Sequence, residues 1–291
     1  MLKTERMDRV RAALRAQGLT QMIVCDPKSV WYLTGVAVEP YERLLALYLP
    51  TEGEPVLFLN RLFNVPEPPC RTVWHTDTDK PVAQIAEVVD AGRPLGIDKE
   101  WPAKFLIPLM ETHPGMQVVL SSDCVDDCRA CKDAEEQTLM REASRINDAV
   151  NEAAKHYIKA GMTEREVAEF IDAQYRAHGC EGPSFTTIVS FGANAADPHH
   201  EPDDTVLKRS EDCVLFDMGC VKSRYCSDMT RTWFCGQPTE KQAAVHDLVR
   251  RANEAAEALI KTGVRLCELD AAARDLITEA GYGAYFNHRL G

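Results

Sequence analysis

The chain has 291 residues, of which 45% are hydrophobic, so it is long and apolar enough for two domains with separate cores. Its 45 acidic residues outnumber 33 Lys and Arg residues and give a formal net charge of −12, which argues against nucleic acid as a partner. Residues 1–6 lead into an amphipathic pattern rather than an apolar signal segment, and no apolar stretch approaches the roughly 18 residues of a membrane span. We therefore expect a soluble, cytoplasmic protein with no membrane partner.

Eleven cysteines are scattered along the chain. An odd and dispersed set argues against a disulfide framework and favours a reducing compartment. Cys124, Cys128 and Cys131 form a cluster, but a zinc or iron–sulfur site needs a fourth ligand at suitable spacing. We interpret these three residues as structural.

The first 130 residues alternate between helical and strand patterns. Apolar residues at helical spacing predict a helix over residues 4–17, and a turn is predicted at 26–27. Strands are predicted at 22–25, 44–49, 56–59, 95–98 and 117–120, and further helices around 85–89 and 105–110. This alternation predicts an α/β layer domain over residues 1–130, in which the isolated His75 and His113 are interpreted as surface or hydrogen-bonded structural residues.

The second predicted domain, residues 131–291, opens with two helices. A long apolar stripe at helical spacing predicts a helix that ends at Gly161. Thr163 and Glu166 then form a capping box for a second helix, which ends at Gly179.

The same helix pair returns farther along the chain. Gly263 and Gly281 lie 102 residues after Gly161 and Gly179 (263 − 161 and 281 − 179). This offset also carries a capping box at Thr239 and Gln242 and the repeated residues Ile260, Lys261 and Glu268, which match Ile158, Lys159 and Glu166. The pattern predicts a duplicated helix–helix–strand unit, whose second copy is expected to be incomplete because ten residues (291 − 281) follow Gly281.

Two β-prone segments, residues 214–219 and 224–233, follow the first helix pair. Their short connection predicts an antiparallel pair of strands that brings Asp217 and Asp228 to the same end. An acid in an apolar strand is costly to bury without a partner, and oxygen donors gathered in this way suit divalent metals such as Mn, Co, Fe or Zn. The alternative, that both acids face water, is open at this point because charged residues are mostly exposed.

A polar loop over residues 194–204 lies between a strand predicted at 185–190 and the first of these acids. Its His199 or His200 could reach a substrate carbonyl or amide as an acid or a hydrogen-bond donor. Residue chemistry does not separate the two histidines, and a solvated loop without function is the alternative. The usual motifs of serine hydrolases, zinc peptidases, phosphate-binding loops and dinucleotide-binding folds are absent from the sequence.

With these residues assembled, the chain resembles the pita-bread metallopeptidase family, which includes Xaa-Pro dipeptidases (prolidases), Xaa-Pro aminopeptidases, methionine aminopeptidases and the metal-free creatinases. The matching segments are 186–189, Pro-His-His-Glu-Pro at 198–202, Phe-Asp-Met-Gly at 216–219, Tyr-Cys-Ser-Asp-Met-Thr-Arg-Thr at 225–232 and Asn-His-Arg-Leu-Gly at 287–291. The first domain resembles the creatinase-type N-terminal domain through residues 9–18 and Trp-Tyr-Leu-Thr-Gly at 31–35. The Ser-Asp-Met-Thr-Arg-Thr form favours the Xaa-Pro branch.

The resemblance implies roles for four residues. Asp217 would be a ligand to one metal ion, Asp228 would bridge two ions, and His199 would contact the substrate. His288 matches the first His of the family's His-x-x-Gly-His element, which lines the substrate site. The remaining family ligands would follow residue 291, so two of five are present and the 291-residue form is expected to fall short of full activity.

For the complete protein, the resemblance implies hydrolysis of the amide bond before proline with two divalent metal ions (Mn, Co, Zn or Fe). A hydroxide between the ions would attack the carbonyl, one metal would polarise it, and His199 would stabilise the tetrahedral species. The implied partners are a small peptide with proline at its second position and a second copy of the chain in a homodimer.

Two other functions are compatible with the same residues. The first is a non-catalytic pita-bread binding protein, against which the presence of both Asp217 and Asp228 counts. The second is a metal-dependent lyase or hydrolase that acts on a small non-peptide acid.

Overall fold

The computed structural model describes residues 2–208 and 213–290. It divides into two compact units, Met1–Asp133 and Ala134–Gly291, which are described separately below. Among the described residues, none of the helices combines the length and the apolar character that crossing a lipid bilayer requires.

The first unit is built on a six-stranded mixed sheet in the order β4-β3-β2-β1-β5-β6. The strands are β1 Gln21–Val24, β2 Ala46–Pro50, β3 Val56–Asn60, β4 Arg71–His75, β5 Leu95–Ile97 and β6 Val118–Leu120. The three central strands β1, β2 and β3 pair antiparallel, and parallel pairs flank them on both sides: β3 with β4 at one edge, and β1 with β5 and β5 with β6 at the other. Two apolar clusters, each formed by different buried side chains of this unit, provide the core.

Five helices flank the strands along the chain: α1 Thr4–Ala16, α2 Pro27–Thr34, α3 Pro81–Ala86, α4 Ala103–Thr112 and α5 Asp123–Ala130. The prediction of a turn at 26–27 is wrong, because these residues begin helix α2. Asp26 caps the helix by accepting hydrogen bonds from the backbone N–H groups of Lys28 and Ser29. Pro27 at the first helical position loses no hydrogen bond there. Asp-Pro therefore starts a helix in this chain.

The sequence interpretation of the isolated histidines is confirmed. His75 is buried, with its Nε2 3.0 Å from the Leu44 carbonyl oxygen. His113 places its Nε2 3.0 Å from the Ala86 carbonyl oxygen. Strand β4, which ends at His75, was not predicted because its alternation lies next to a Pro-rich loop.

The second unit contains the two predicted helix pairs, α6 Ala134–Tyr157 with α7 Glu164–Ala177 and α8 Glu240–Glu257 with α9 Leu266–Glu279. The capping boxes at Thr163 and Thr239 are both formed, each with the side chain three residues later. The glycines that close the two pairs, Gly179 and Gly281, have φ angles of +67° and +86°. Both copies of the repeat therefore end their second helix through the same left-handed conformation, which glycine adopts without strain.

Two short sheets complete the second unit. Strands β8 Ile188–Phe191, β9 Cys213–Met218 and β12 Met229–Phe234 form an antiparallel sheet in the order β12-β9-β8. Strands β7 Gly182–Pro183, β10 Cys220–Lys222 and β11 Tyr225–Cys226 form the other in the order β11-β10-β7. β9 to β12 make one long hairpin, whose turn residues Ser223 and Arg224 have φ angles of 50° and 67°. Two consecutive residues with positive φ are typical of the tight turn that matches strand twist.

Side chains alternate across β9. Val214, Phe216 and Met218 are buried and join the apolar core formed with α6 and α7. Leu215 and Asp217 occupy the opposite face, since successive residues of a strand point to opposite sides. Asp217 therefore lies on the face of β9 that points away from this apolar core.

The end of β9 is tied to the helix pair by a buried polar contact. The Asn147 side-chain amide donates to the Met218 carbonyl oxygen at 3.0 Å, and its side-chain oxygen accepts a bond from the Tyr175 hydroxyl at 2.5 Å. Burial raises the pKa of Tyr175, so this hydroxyl keeps its proton as a donor. The position of Asp217 along the strand is thereby linked to both helices.

Candidate metal site

Asp217 is a carboxylate without enough hydrogen-bond donors. Its Oδ1 atom is buried and has no hydrogen-bond partner among the described residues. Burial is the main cause that raises the pKa of Asp217; the charge of Asp228 raises it further, while a bond from the Thr230 side chain and the charge of His199 lower it. A buried anionic oxygen that lacks a donor is where a cation gives the largest stabilisation.

Asp228 faces the same end of the long hairpin, as its sequence position predicts. Met229 pairs with Met218, and Val221 pairs with Cys226, so the same register places Asp228 opposite Gly219. The side chain of Asp228 is exposed, yet its charge acts on Asp217. The hairpin therefore brings both carboxylates together, one partly buried and one accessible.

Gly219 makes this close approach possible. A Cβ at this position would lie 2.0 Å from the Ser227 carbonyl oxygen and 2.3 Å from the Ser184 hydroxyl oxygen. The Ser184 hydroxyl donates to that carbonyl at 2.8 Å, and the Ser227 hydroxyl accepts the Cys220 backbone N–H at 3.0 Å. The peptide before Asp228 is thus held against a residue that has no side chain.

The structure separates the two histidines that residue chemistry left open. His200 is mostly buried and its Nε2 lies 2.6 Å from Oε2 of Glu164. His199 is exposed, its backbone N–H donates to Asp197 at 3.0 Å, and its charge acts on Asp217. Of the two histidines, His199 is thus the exposed one whose charge acts on Asp217, whereas His200 is bound to Glu164.

Glu164 was not predicted as a functional residue. It is the first residue of α7 and is fully buried. Glu164, His200 and Asp203 are the group of described residues whose potential ligand atoms lie within 4.8 Å of one another. Both oxygens of Glu164 already accept hydrogen bonds from N–H donors, so in this arrangement the group acts as a hydrogen-bonded cluster. The sequence shows that a charged residue directly follows the capping Thr163, but it does not show that this residue is buried.

His288 lies in the segment after α9, where Arg274 holds the backbone. The Arg274 guanidinium donates to the Phe286 and His288 carbonyl oxygens, each at 2.8 Å, and pairs with Asp270 at 2.7 Å. The His288 ring packs edge-on against Phe286. The described contacts of His288 are thus with its own segment and α9, and its predicted substrate role stays a prediction.

The anchoring of this segment is expected to depend on pH. The Arg274 bond, followed by the Leu290 backbone N–H, lowers the pKa of Asp270 to about 2. A lowered folded-state pKa stabilises the fold above the unfolded-state value of about 4, and this contribution is lost as pH falls towards 2. The protection factor of the Leu290 amide, its exchange rate relative to that of an unstructured peptide at the same pH, should therefore fall between about pH 4 and 2, and Asp270→Asn should show the low protection already at pH 7. Equal protection in both proteins would contradict this assignment.

Comparison with known proteins identifies the family of this chain. The model of metallopeptidase family M24 matches residues 138–291, and the model of the creatinase/prolidase N-terminal domain matches residues 6–131. Among named relatives, an uncharacterized peptidase of Staphylococcus epidermidis is 33% identical over 286 residues, covering 97% of this chain and 81% of the relative. One from Staphylococcus saprophyticus is 35% identical over 295 residues, covering 98% and 82%.

Solved structures give the same result. The chain superposes on a prolidase from Thermococcus sibiricus with a TM-score of 0.91 at 31% identity, covering 99% of this chain and 81% of the other. For a dipeptidase from Mycobacterium ulcerans, the TM-score is 0.90 at 31% identity, and the match covers 98% of this chain and 79% of the other. For a prolidase from Pyrococcus horikoshii, the TM-score is 0.87 at 28% identity, and the match covers 98% of this chain and 81% of the other. The α/β fold with a creatinase-like N-terminal domain and a pita-bread C-terminal domain, expected from the sequence, is confirmed. The chain belongs to metallopeptidase family M24 and carries the creatinase/prolidase type of N-terminal domain.

Proposed function

We propose that this protein is a metal-dependent Xaa-Pro peptidase that hydrolyses the amide bond before proline, with Asp217 and Asp228 as metal ligands. The observation that carries the proposal is the buried Oδ1 of Asp217, which has no hydrogen-bond partner among the described residues and lies beside a second carboxylate. The prolidase and dipeptidase structures that share this fold support the choice of substrate class.

The residues fit divalent metal ions. The charge of Asp228 raises the pKa of Asp217, and a cation beside the two carboxylates would offset their negative charge; oxygen ligands suit Mn, Co, Zn and Fe ions. Such ions supply Lewis-acid polarisation of a carbonyl and activation of water at neutral pH. We propose that Asp217 and Asp228 would be the ligands that this chain offers to two such ions.

The chain's own residues would divide the remaining work. The Thr230 side chain bonds to the Asp217 carboxylate and so fixes the direction of its free oxygen. His199, exposed beside this pair, would donate a hydrogen bond to the substrate carbonyl oxygen and stabilise the negative charge that develops on it. The side chains of Asp217 and Thr230 share one sheet face because their residues are paired across β9 and β12.

Metal uptake and turnover test the proposal together. The purified protein is incubated with Mn²⁺ or Co²⁺, desalted, and measured by elemental analysis and intact mass; it is then assayed on Ala-Pro, Met-Pro and Ala-Ala. We expect bound metal and hydrolysis of the two proline dipeptides. Asp228→Asn should lose the metal, whereas Asp148→Asn, which removes an exposed acid of α6, should retain it.

The outcomes separate the candidate functions. Hydrolysis of Ala-Ala as fast as Ala-Pro would contradict the Xaa-Pro specificity. Bound metal without cleavage of any dipeptide would favour action on a small non-peptide acid. Neither metal nor turnover would favour a binding protein on this fold.

A further inference from the structure

The loop that carries His199 is organised around one buried carboxylate. Oε1 of Glu164 accepts the backbone N–H of Phe191 at 2.7 Å and the side-chain amide of Asn194 at 3.0 Å. Its Oε2 accepts Nε2–H of His200 at 2.6 Å and the backbone N–H of Asp203 at 3.2 Å. Four donors, spread over thirteen positions (203 − 191 + 1) from the end of β8 into the loop, therefore meet at a single side chain.

The assignment of donor and acceptor follows from chemistry. A carboxylate accepts hydrogen bonds and has none to donate, so the hydrogen of the shortest bond is on Nε2 of His200. Charge-assisted bonds of this type are stronger and more directional than bonds between neutral groups. The His200 ring is consequently held in one orientation.

The same bond anchors the backbone next to His199. His199 directly precedes His200, which faces Glu164, while His199 is exposed and acts on Asp217. The backbone of His199 is also held, because its N–H donates to Asp197 at 3.0 Å. Two of the four contacts of Glu164 precede His199 in the chain and two follow it, so the histidine is fixed from both sides.

The C-terminal end of the loop, at residues 203–205, is attached to α7 without the Glu164 side chain. The backbone of α7 holds it, through bonds from the Glu164 N–H to the Thr205 carbonyl and from the Arg165 N–H to the Asp203 carbonyl, each 3.1 Å long. A buried charge is also an expensive way to stabilise a fold, since an apolar group of similar shape often does as well. Closure of this end of the loop therefore does not by itself account for a buried carboxylate at position 164.

We propose that Glu164 is a positioning residue for the metal site: through His200 and the backbone on both sides, it holds the loop segment that presents His199. This inference rests on the proposed function in so far as His199 acts on a peptide substrate. Its structural content, that the placement of His199 depends on Glu164, is independent of turnover.

The placement can be measured without metal or substrate. In the full chain labelled with ¹⁵N-histidine, Asp217→Asn is expected to shift the His199 ring signals, because removing a nearby charge changes the field at the ring. In the Glu164→Gln and His200→Ala backgrounds, we expect the same substitution to shift these signals by less than about half as much, since the interaction weakens with distance. His200→Gln, which offers an amide donor to Glu164, should restore the shift.

The matched control is Glu166→Gln. Glu166 is an exposed residue of the same helical turn and its capping bond to Thr163 is also made by glutamine, so the His199 response should equal that of the unmodified protein. An undiminished His199 response in Glu164→Gln and His200→Ala would overturn the proposal. Should Glu164→Gln fail to fold, the His200→Ala and His200→Gln pair decides, because Glu164 keeps its three other donors.

Kinetics give a second readout. In the metal-loaded protein, Glu164→Gln and His200→Ala should lower kcat for Ala-Pro by about 10- to 100-fold with KM within about twofold, as expected when a group that acts in the transition state is displaced. An unchanged kcat in a folded variant would also overturn the proposal. If the unmodified protein neither takes up Mn²⁺ nor cleaves Ala-Pro, the proposed function fails, and the His199 signals alone decide the role of Glu164.

Discussion

Replacing Asp217 with Asn is expected to abolish metal uptake and, at the same time, to raise the thermal stability of the metal-free protein. Metal affinity should fall by more than about 100-fold, because loss of a metal ligand should cost more than loss of a residue that only hydrogen-bonds to a ligand. Stability should rise because the charged carboxylate is partly buried with an oxygen that lacks a donor, and a neutral amide avoids this cost. We expect the melting temperature to rise by about 2–4 °C, equivalent to about 1 kcal/mol.

The size of this stability gain should depend on pH. Because burial and Asp228 raise the folded-state pKa of Asp217, the folded state binds the proton more tightly than the unfolded state, and stability falls as pH rises through that pKa. The advantage of Asn should be complete above it and absent below about pH 4, where protonated Asp is also neutral. Melting curves of both proteins across this range, recorded with a chelator, provide the measurement.

Asp228→Asn is the matched comparison. Asp228 is exposed, so this variant should lose metal uptake with a smaller gain in stability. A metal-free Asp217→Asn protein that is less stable than the unmodified protein at pH 7 would show that Asp217 stabilises the fold, and it would remove the main support for a metal site.

Gly219→Ala is expected to disrupt the site through the backbone alone. The new methyl carbon would lie 2.0 Å from the Ser227 carbonyl oxygen, closer than any real contact allows, and that oxygen belongs to the backbone and cannot rotate away. The hairpin must therefore open between Asp217 and Asp228. We expect a loss of about 2–3 kcal/mol in the free energy of unfolding, at the upper end for overpacking, together with loss of metal uptake.

Chemical denaturation and elemental analysis at a temperature where the variant is folded measure the two effects. Gly92→Ala is the control, since the Cβ there would meet only the Asp90 side-chain oxygen at 3.2 Å, and that side chain can move. A Gly219→Ala protein with normal stability and normal metal content would show that the close approach of the two hairpin arms is not required.

The importance of Asp217 can be predicted from the sequence, whereas that of Gly219 cannot. The strand with Asp217 is readable because Val214, Phe216 and Met218 alternate with it, and a strand buried on one face must have this period. The hairpin end that unites the two acids follows from chain proximity, since β9 and β12 are separated by a short connection. The role of Gly219 cannot be predicted from the sequence. It depends on the Ser227 carbonyl oxygen, eight residues away, which comes close to Gly219 only when the two hairpin arms are paired.

The N-terminal unit shows a similar division. Strands with strong apolar character, such as β1 and β3, were predicted nearly to the residue. The helix α2 was not, because Asp-Pro is also a common turn signal and the choice depends on whether the following residues pack. In α2 they do, since Val30 and Leu33 are completely buried.

By itself, the sequence determined the two-domain α/β architecture, the repeated helix pairs with their capping boxes and the candidate aspartate pair, because all of these depend on residues close together in the chain or on periodicity. Only the tertiary structure decided that Glu164 is buried and binds His200, and that His199 is the exposed member of the histidine pair. Glu164 and His200 are 36 positions apart, and whether a carboxylate there is solvated or buried among N–H donors depends on how α7 packs against β8. The identity of a polar residue is written in the sequence, but its partners are set by the path of the folded chain.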